Sequence, residues 1–196
     1  MIKNSIDNID ITIFEKTPSQ TSKIDRRCLL AIQRHIRNNR DYYNYVEIGF
    51  HLGGSIQPHL LDNKCQHILS IDPRHFKQAD DRCAGSYYDY QGNSTDRMLN
   101  LLGQVCHDQL YKIETIEEGS SNIDIDHISN NYDLIFIDGE HTRDAVKKEF
   151  DFSLKLIKDK GVIILHDFWT IKDAIVDIEK SLRKSGKEHI GVYLGG

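Results

Sequence analysis

Hydrophobic and polar positions follow two alternating periods along this chain. Residues 22–38 set Ile24, Leu29, Ile32 and Ile36 at helical spacing with Arg26, Arg34 and Arg37 between them, which predicts an amphipathic helix. The period then shortens. Residues 45–49 predict a strand, Gly53, Gly54 and Ser55 a turn, and 55–62 the start of a helix. A second strand is expected at 67–72, ended by Pro73. Met98, Leu99, Leu101 and Leu102 predict a helix over 95–105, and residues 111–116 a third strand. Residues 132–138 are apolar without alternation, the pattern of a strand covered on both faces. A helix over 143–158 follows, with Gly161 expected as its stop, then a buried strand at 161–167. A helix from about 171 to 184 and a last strand at 189–194 complete the pattern.

Strands alternating with helices, several of them apolar on both faces, predict an α/β fold: a doubly wound, mostly parallel sheet with helices on both faces. Residues 1–20 are polar apart from a short apolar run at 11–14 and predict an appendage or lid to one domain spanning 21–196. Ligands on such sheets sit at the carboxyl ends of the strands, beside the point where the strand order reverses. The candidate functional residues are therefore those that end each strand.

Composition narrows the classes. At 196 residues the chain suits one sizeable core. Its 25 basic against 30 acidic side chains give a net charge of −5, so no bulk field favours nucleic acid or an anionic membrane. No apolar run approaches the roughly 20 residues of a transmembrane helix, and the N-terminus lacks the basic-then-apolar order of a signal peptide. The cysteines at 28, 65, 83 and 106 form no C-x-x-C pair, which argues against a disulfide scaffold or structural zinc and fits a reducing cytoplasm. A cytoplasmic protein without nucleic-acid or membrane partners is expected.

The first strand end, Glu47 to Ser55, is compatible with three glycine patterns. The dinucleotide fingerprint G-x-G-x-x-G, aligned on Gly49 and Gly54, meets His51 where a pyrophosphate must come close. The P-loop pattern fits the gap between Gly49 and Gly54 but lacks its lysine, since Ser55 follows directly. Acidic-x-Gly-x-x-x-Gly fits throughout, with Glu47, Gly49 and Gly53. The second strand ends in Asp72, 25 residues after Glu47, where a carboxylate can accept from ribose hydroxyls. Asp138, Gly139, Glu140 and His141 end the strand at 132–138, and His166 with Asp167 end the next. Adjacent strands bring Asp138, His141, His166 and Asp167 together, a hard-oxygen set with imidazole that suits Mg²⁺ or Mn²⁺.

The pattern at 47–53 resembles the first motif of class I S-adenosylmethionine-dependent methyltransferases. Phe136-Ile137-Asp138-Gly139-Glu140-His141 and the run from Gly161 to Asp167 look like the small-molecule O-methyltransferases related to macrocin O-methyltransferase and cephalosporin hydroxylase-like proteins. The resemblance covers 45–72 loosely and 132–169 closely. It implies a cofactor, S-adenosylmethionine, at Glu47 (its amino group), Gly49, Gly53, Ser55, Asp72 (its ribose) and Asp138. It further implies adenine contacts after the third strand, at Gly119 and Ser120 in 118–121, with 92–96 as the alternative segment. A divalent metal on Asp138 and Asp167 is implied too, although His166 replaces the first acid of the family's acidic pair. His166 as a third ligand, or His141 or His166 as a general base with Asp138 beside it in a metal-free reaction, both remain open. Tyr87, Tyr88 and Tyr90, or Trp169, are candidates to wall the acceptor site. The family also adds a seventh, antiparallel strand that is not visible here, and an unpaired sheet edge makes a homodimer an expectation. Methyl transfer to an oxygen of a small molecule leads. A nicotinamide-dependent oxidoreductase or epimerase, and a non-catalytic binding protein of the same fold, are the alternatives.

Overall fold

The structure is a computed structural model and describes residues 2–49, 51–80, 87–128 and 131–194. Seven strands form. They are β1 (Tyr43–Ile48), β2 (Cys65–Ile71), β3 (Lys77–Ala79), β4 (Tyr87–Asp89), β5 (Ile113–Ile116), β6 (Tyr132–Ile137) and β7 (Ile157–Leu165). Five make the central sheet, in the order β5-β2-β1-β6-β7 with every pair parallel, while β3 and β4 form a small antiparallel hairpin. The helices are α1 (Ile2–Asp7), α2 (Lys23–Asn39), α3 (Gln57–Leu61), α4 (Thr95–Cys106), α5 (Arg143–Leu156) and α6 (Phe168–Ser185). This is the doubly wound architecture that the alternating pattern predicts.

Strand alternation divides the core into two layers. Tyr43 and Tyr45 of β1 face one side with Leu134 and Phe136 of β6, against Leu30 and Ile36 of α2, Leu60 of α3 and Met98 and Leu102 of α4. Val46 and Ile48 face the other with Ile135 and Ile137, against Val146 and Phe150 of α5 and Ala174 and Ile178 of α6. Every residue of β6 is buried, as its unbroken apolar run requires.

Local signals explain the helix boundaries. Ser22 and Asp25 close a reciprocal capping box at the start of α2. Ser94 caps α4 through the Arg97 N–H, and Thr142 caps α5 through Ala145.

Four expectations change. Gly161 does not stop α5: the helix ends at Leu156 and Gly161 lies inside β7, where pairing with β6 slips between Tyr132 and Leu134. β7 is an edge strand, half-covered rather than buried. Residues 189–194 form no strand, and Ile190 and Val192 are 91% and 71% exposed. Their apolar spacing suits a strand, but a strand exists only through a ladder to a neighbour, and none pairs with them among the described residues. Finally, residues 2–17 do more than append to the core. Ile6, Ile13 and Phe14 are buried within it, and the Gln57 side chain binds the Phe14, Thr17 and Gly54 carbonyls and the Thr17 N–H.

No helix among the described residues is long and apolar enough to cross a membrane. Cys28, Cys65 and Cys106 are free thiols, and Cys83 lies outside the described residues.

Candidate active site

The strand order reverses between β1 and β6, and sheet-type hydrogen bonds run on past the strands at this reversal. Gly49 N–H donates to Ile71 O (2.9 Å), Asp72 to Ile116 O (3.1 Å), Asp138 to Ile48 O (2.8 Å) and His166 to Ile137 O (3.0 Å). Four sequence-picked positions are thereby lined up along one edge. They border a cleft of about 730 Å³, open solvent included, which Glu47, Ser55, His141 and Asp167 also line.

On the cofactor side, Glu47 is fully buried. Tyr45 OH donates to its Oε2 at 2.6 Å, and Ser55 Oγ donates to Oε1. Burial pushes the Glu47 carboxyl up to about 8, helped by the charges of Asp138 and Asp72 and opposed by the two hydrogen bonds. Gly49 has φ +76°, and a Cβ there would collide with the Asp138 carbonyl and Gly139. Only glycine lets the turns after β1 and β6 approach this closely. Asp72, 2% exposed, accepts from the Arg74 N–H at 2.6 Å and Asn93 Nδ2 at 3.3 Å. The Arg74 guanidinium then joins His51 O, Asn93 Oδ1 and Thr95 Oγ1, tying three segments together.

Three of the positions expected to contact the cofactor stand apart from the others. Gly53 points at α4, where a Cβ would stand 2.9 Å from Met98 Cγ; Gly54 lines the cleft instead. Gly119 and Ser120 do not line it, whereas Asn93, from the alternative segment 92–96, and Tyr90 do.

The opposite rim gathers all four of its candidates. His166 Nδ1 lies 2.9 Å from Asp138 Oδ1 and 3.5 Å from Asp167 Oδ1. His141 Nε2 lies 2.9 Å from Asp167 Oδ2 and 3.6 Å from Asp138 Oδ1. Burial disfavours a charged His166, but its contact with Asp138 and the charges of Asp167 and Asp25 outweigh that and push it up to about 10. Burial likewise acts to raise Asp138, and the two histidines overcome it, holding the carboxyl below the usual range. Asp167 opens α6 in the left-handed region (φ 52°, ψ 45°) and makes no side-chain cap, so its carboxylate faces the histidines rather than the helix. Such strain is characteristic of functional positions. One ligand atom from each of Asp138, His141, His166 and Asp167 lies within 4.8 Å of the others. Two carboxylates and two imidazoles are a donor set that fits a divalent metal ion.

Several site residues were not singled out by the sequence. Asp80, 3% exposed, reaches His141 from the segment after β3, and Asp25 reaches His166 from α2. Glu149 of α5 is buried beneath the 138–141 loop, binds the Glu140 backbone and is pushed by burial up to about 8. The Ser22-x-x-Asp25 spacing is that of a capping box, and nothing local marks the second role of Asp25. Tyr90 lines the cleft, Tyr88 accepts from Gln20 Nε2 at 3.5 Å, and Tyr87 is exposed. Trp169 is 74% exposed and packs on Phe168 and Tyr193, away from the cleft.

A family model described as a methyltransferase domain matches residues 46–168, more than half of the chain and the span that carries both sides of this cleft. The chain belongs to the methyltransferase-domain family. Among curated proteins, this methyltransferase domain is 28% identical over 130 residues to an uncharacterized protein of Acanthamoeba polyphaga mimivirus, covering 66% of this chain and 53% of that one. The chain thus spans about half the length of that relative. Among solved structures, it superposes on a protein assigned as a caffeoyl-CoA O-methyltransferase of Staphylococcus aureus, with TM-score 0.53 and 19% identity over 94% of this chain and 83% of that one. It also superposes on the O-methyltransferase of tomaymycin synthesis from Streptomyces achromogenes, solved with S-adenosylmethionine, with TM-score 0.54 and 14% identity over 86% and 70%. At such identities the likeness establishes the class I methyltransferase fold.

Proposed function

We propose that this protein transfers the methyl group of S-adenosylmethionine to an oxygen of a small molecule held at the Asp138–Asp167 rim. The observation that carries this is one cleft with a buried acid, a close-approach glycine and a ribose-type acid on one side, and two histidines with two carboxylates on the other. Glu47 faces the cofactor's ammonium, Gly49 admits its methionine end, and Asp72 accepts from the ribose hydroxyls. Methyl transfer is an in-line displacement, so the protein's main task is to align acceptor and methyl carbon. Residues 18–21 overlie the turn at Gly54, and with Gln78 and Tyr90 they narrow the cleft against water. The imidazole of His141 stands where a proton leaving an acceptor hydroxyl can be taken up, whereas His166, held charged by the carboxylates around it, would position the acceptor rather than deprotonate it. A divalent ion bound at Asp138, His166 and Asp167 would supply charge that lowers the pKa of that hydroxyl. His51 occupies the position where a nicotinamide dinucleotide needs glycine, which disfavours the oxidoreductase reading.

Calorimetry with S-adenosylmethionine, S-adenosylhomocysteine and NAD⁺ tests the proposal. The adenosyl compounds should bind and NAD⁺ should not. Asp72→Ala should weaken binding roughly 10- to 100-fold, through loss of charge-assisted hydrogen bonds of about 1.5–3 kcal/mol. Binding of NAD⁺ in their place would sink the proposal, as would binding of none of the three.

A further inference from the structure

We infer that the rim of the cleft is a built centre for a first-row transition-metal ion rather than for Mg²⁺, with Asp138, His141, His166 and Asp167 as ligands and Asp80 and Asp25 as the groups that orient the two histidines. This deepens the proposed function and rests on it for the ion's use.

Donor chemistry is the first ground. Half of the four converging donors are imidazole nitrogens. Mg²⁺ is hard, demands oxygen donors and keeps several waters. Imidazole suits Fe²⁺, Co²⁺, Ni²⁺ and Zn²⁺, and a mixed nitrogen and oxygen set favours the later first-row ions over Mg²⁺.

The second ground is independent of the ligands and lies behind them. His141 turns Nε2 to Asp167 and Asp138, and its other nitrogen, Nδ1, lies 3.6 Å from Asp80 Oδ2. His166 shows the same arrangement with the nitrogens exchanged: Nδ1 turns to Asp138 and Asp167, and Nε2 lies 3.3 Å from Asp25 Oδ2. Each imidazole thus presents one nitrogen to the cluster and the other to an outer carboxylate. Metal-bound histidines are oriented in this way, the outer acid fixing the tautomer and the ring plane. Both outer acids are themselves held. A backbone bridge pairs Asp80 with His141, and Ser22 N–H donates to Asp25 Oδ2 at 2.7 Å.

The test uses the full chain stripped with a chelator. Co²⁺ is titrated and followed by visible absorption, Mn²⁺ by electron paramagnetic resonance, and Mg²⁺ is added as competitor. Co²⁺ should bind at one site and resist about a 100-fold excess of Mg²⁺. His166→Asp, which replaces a nitrogen donor by oxygen, should narrow the Co²⁺-over-Mg²⁺ preference about tenfold or more. Asp80→Asn and Asp25→Asn should each weaken Co²⁺ binding by about 10- to 100-fold, with circular dichroism unchanged. Absence of Co²⁺ binding overturns the inference, as does Mg²⁺ binding as tight as Co²⁺, or ion affinity indifferent to all three variants. S-adenosylhomocysteine is titrated into the same samples. Its binding without any ion binding overturns the metal centre alone, whereas ion binding without it leaves the centre standing and removes the proposed function.

Discussion

Glu47 shows how burial sets chemistry at a single residue. Its carboxyl is held by Tyr45 and Ser55 and pushed up to about 8 by burial. Below that pH it must give up a proton before it can pair with an ammonium group. S-adenosylhomocysteine should therefore bind more tightly as pH rises from about 6 to about 8 and then level off, and Glu47→Gln should flatten that dependence in calorimetry. Glu149 carries a different consequence, since no ligand reaches it. Its folded value, about 8, lies above its ordinary one of 4.5, so its contribution to stability is complete below about 4.5 and is lost as pH climbs through about 8. Glu149→Gln should gain melting temperature relative to the parent protein between about pH 5 and pH 8. A constant difference across that range would exclude the buried ionisation.

At the scale of elements, the two glycines of the first turn have different tasks. Gly49 admits the loop after β6, whereas Gly53, at φ +78°, faces Met98 and Leu102 of α4. Gly53→Ala should cost about 1–3 kcal/mol in urea denaturation through overpacking and backbone strain, with cofactor affinity little changed. Gly49→Ala should lose both stability and binding. The strand ends were legible because local chemistry marks them: glycine after β1, Asp72 before Pro73, Asp138 after an unbroken apolar run. The hairpin of β3 and β4 was not legible, because three paired residues in each strand are too few to show an alternating period. Residues 189–194 failed in the opposite sense, with strand-like spacing and no partner.

At the scale of the molecule, the cleft joins segments distant in sequence. Residues 18–21 cover Gly54, Gln20 reaches Tyr88, and Asp25 and Asp80 meet the rim from α2 and from beyond β3. The N-terminal segment is thus both a cover and a part of the core. Deleting residues 1–17 should destabilise the protein rather than simply open the cleft, because Ile6, Ile13 and Phe14 each contribute about 1.5–3 kcal/mol by burial. Urea denaturation distinguishes the outcomes, since an unshifted midpoint would mean that the segment only covers.

Period and turn chemistry by themselves determined the doubly wound sheet, its strand ends, and the acids and glycines that border the cleft. These are local properties, written in spacing and in the conformations that glycine, proline and capping residues allow. Only the tertiary structure decided that Gly53 faces Met98 and Leu102, that Asn93 lines the cleft, and that Asp25 and Asp80 stand behind the two histidines. Those assignments depend on which side chains meet across tens of residues, and a carboxylate carries no local mark of the imidazole it will face.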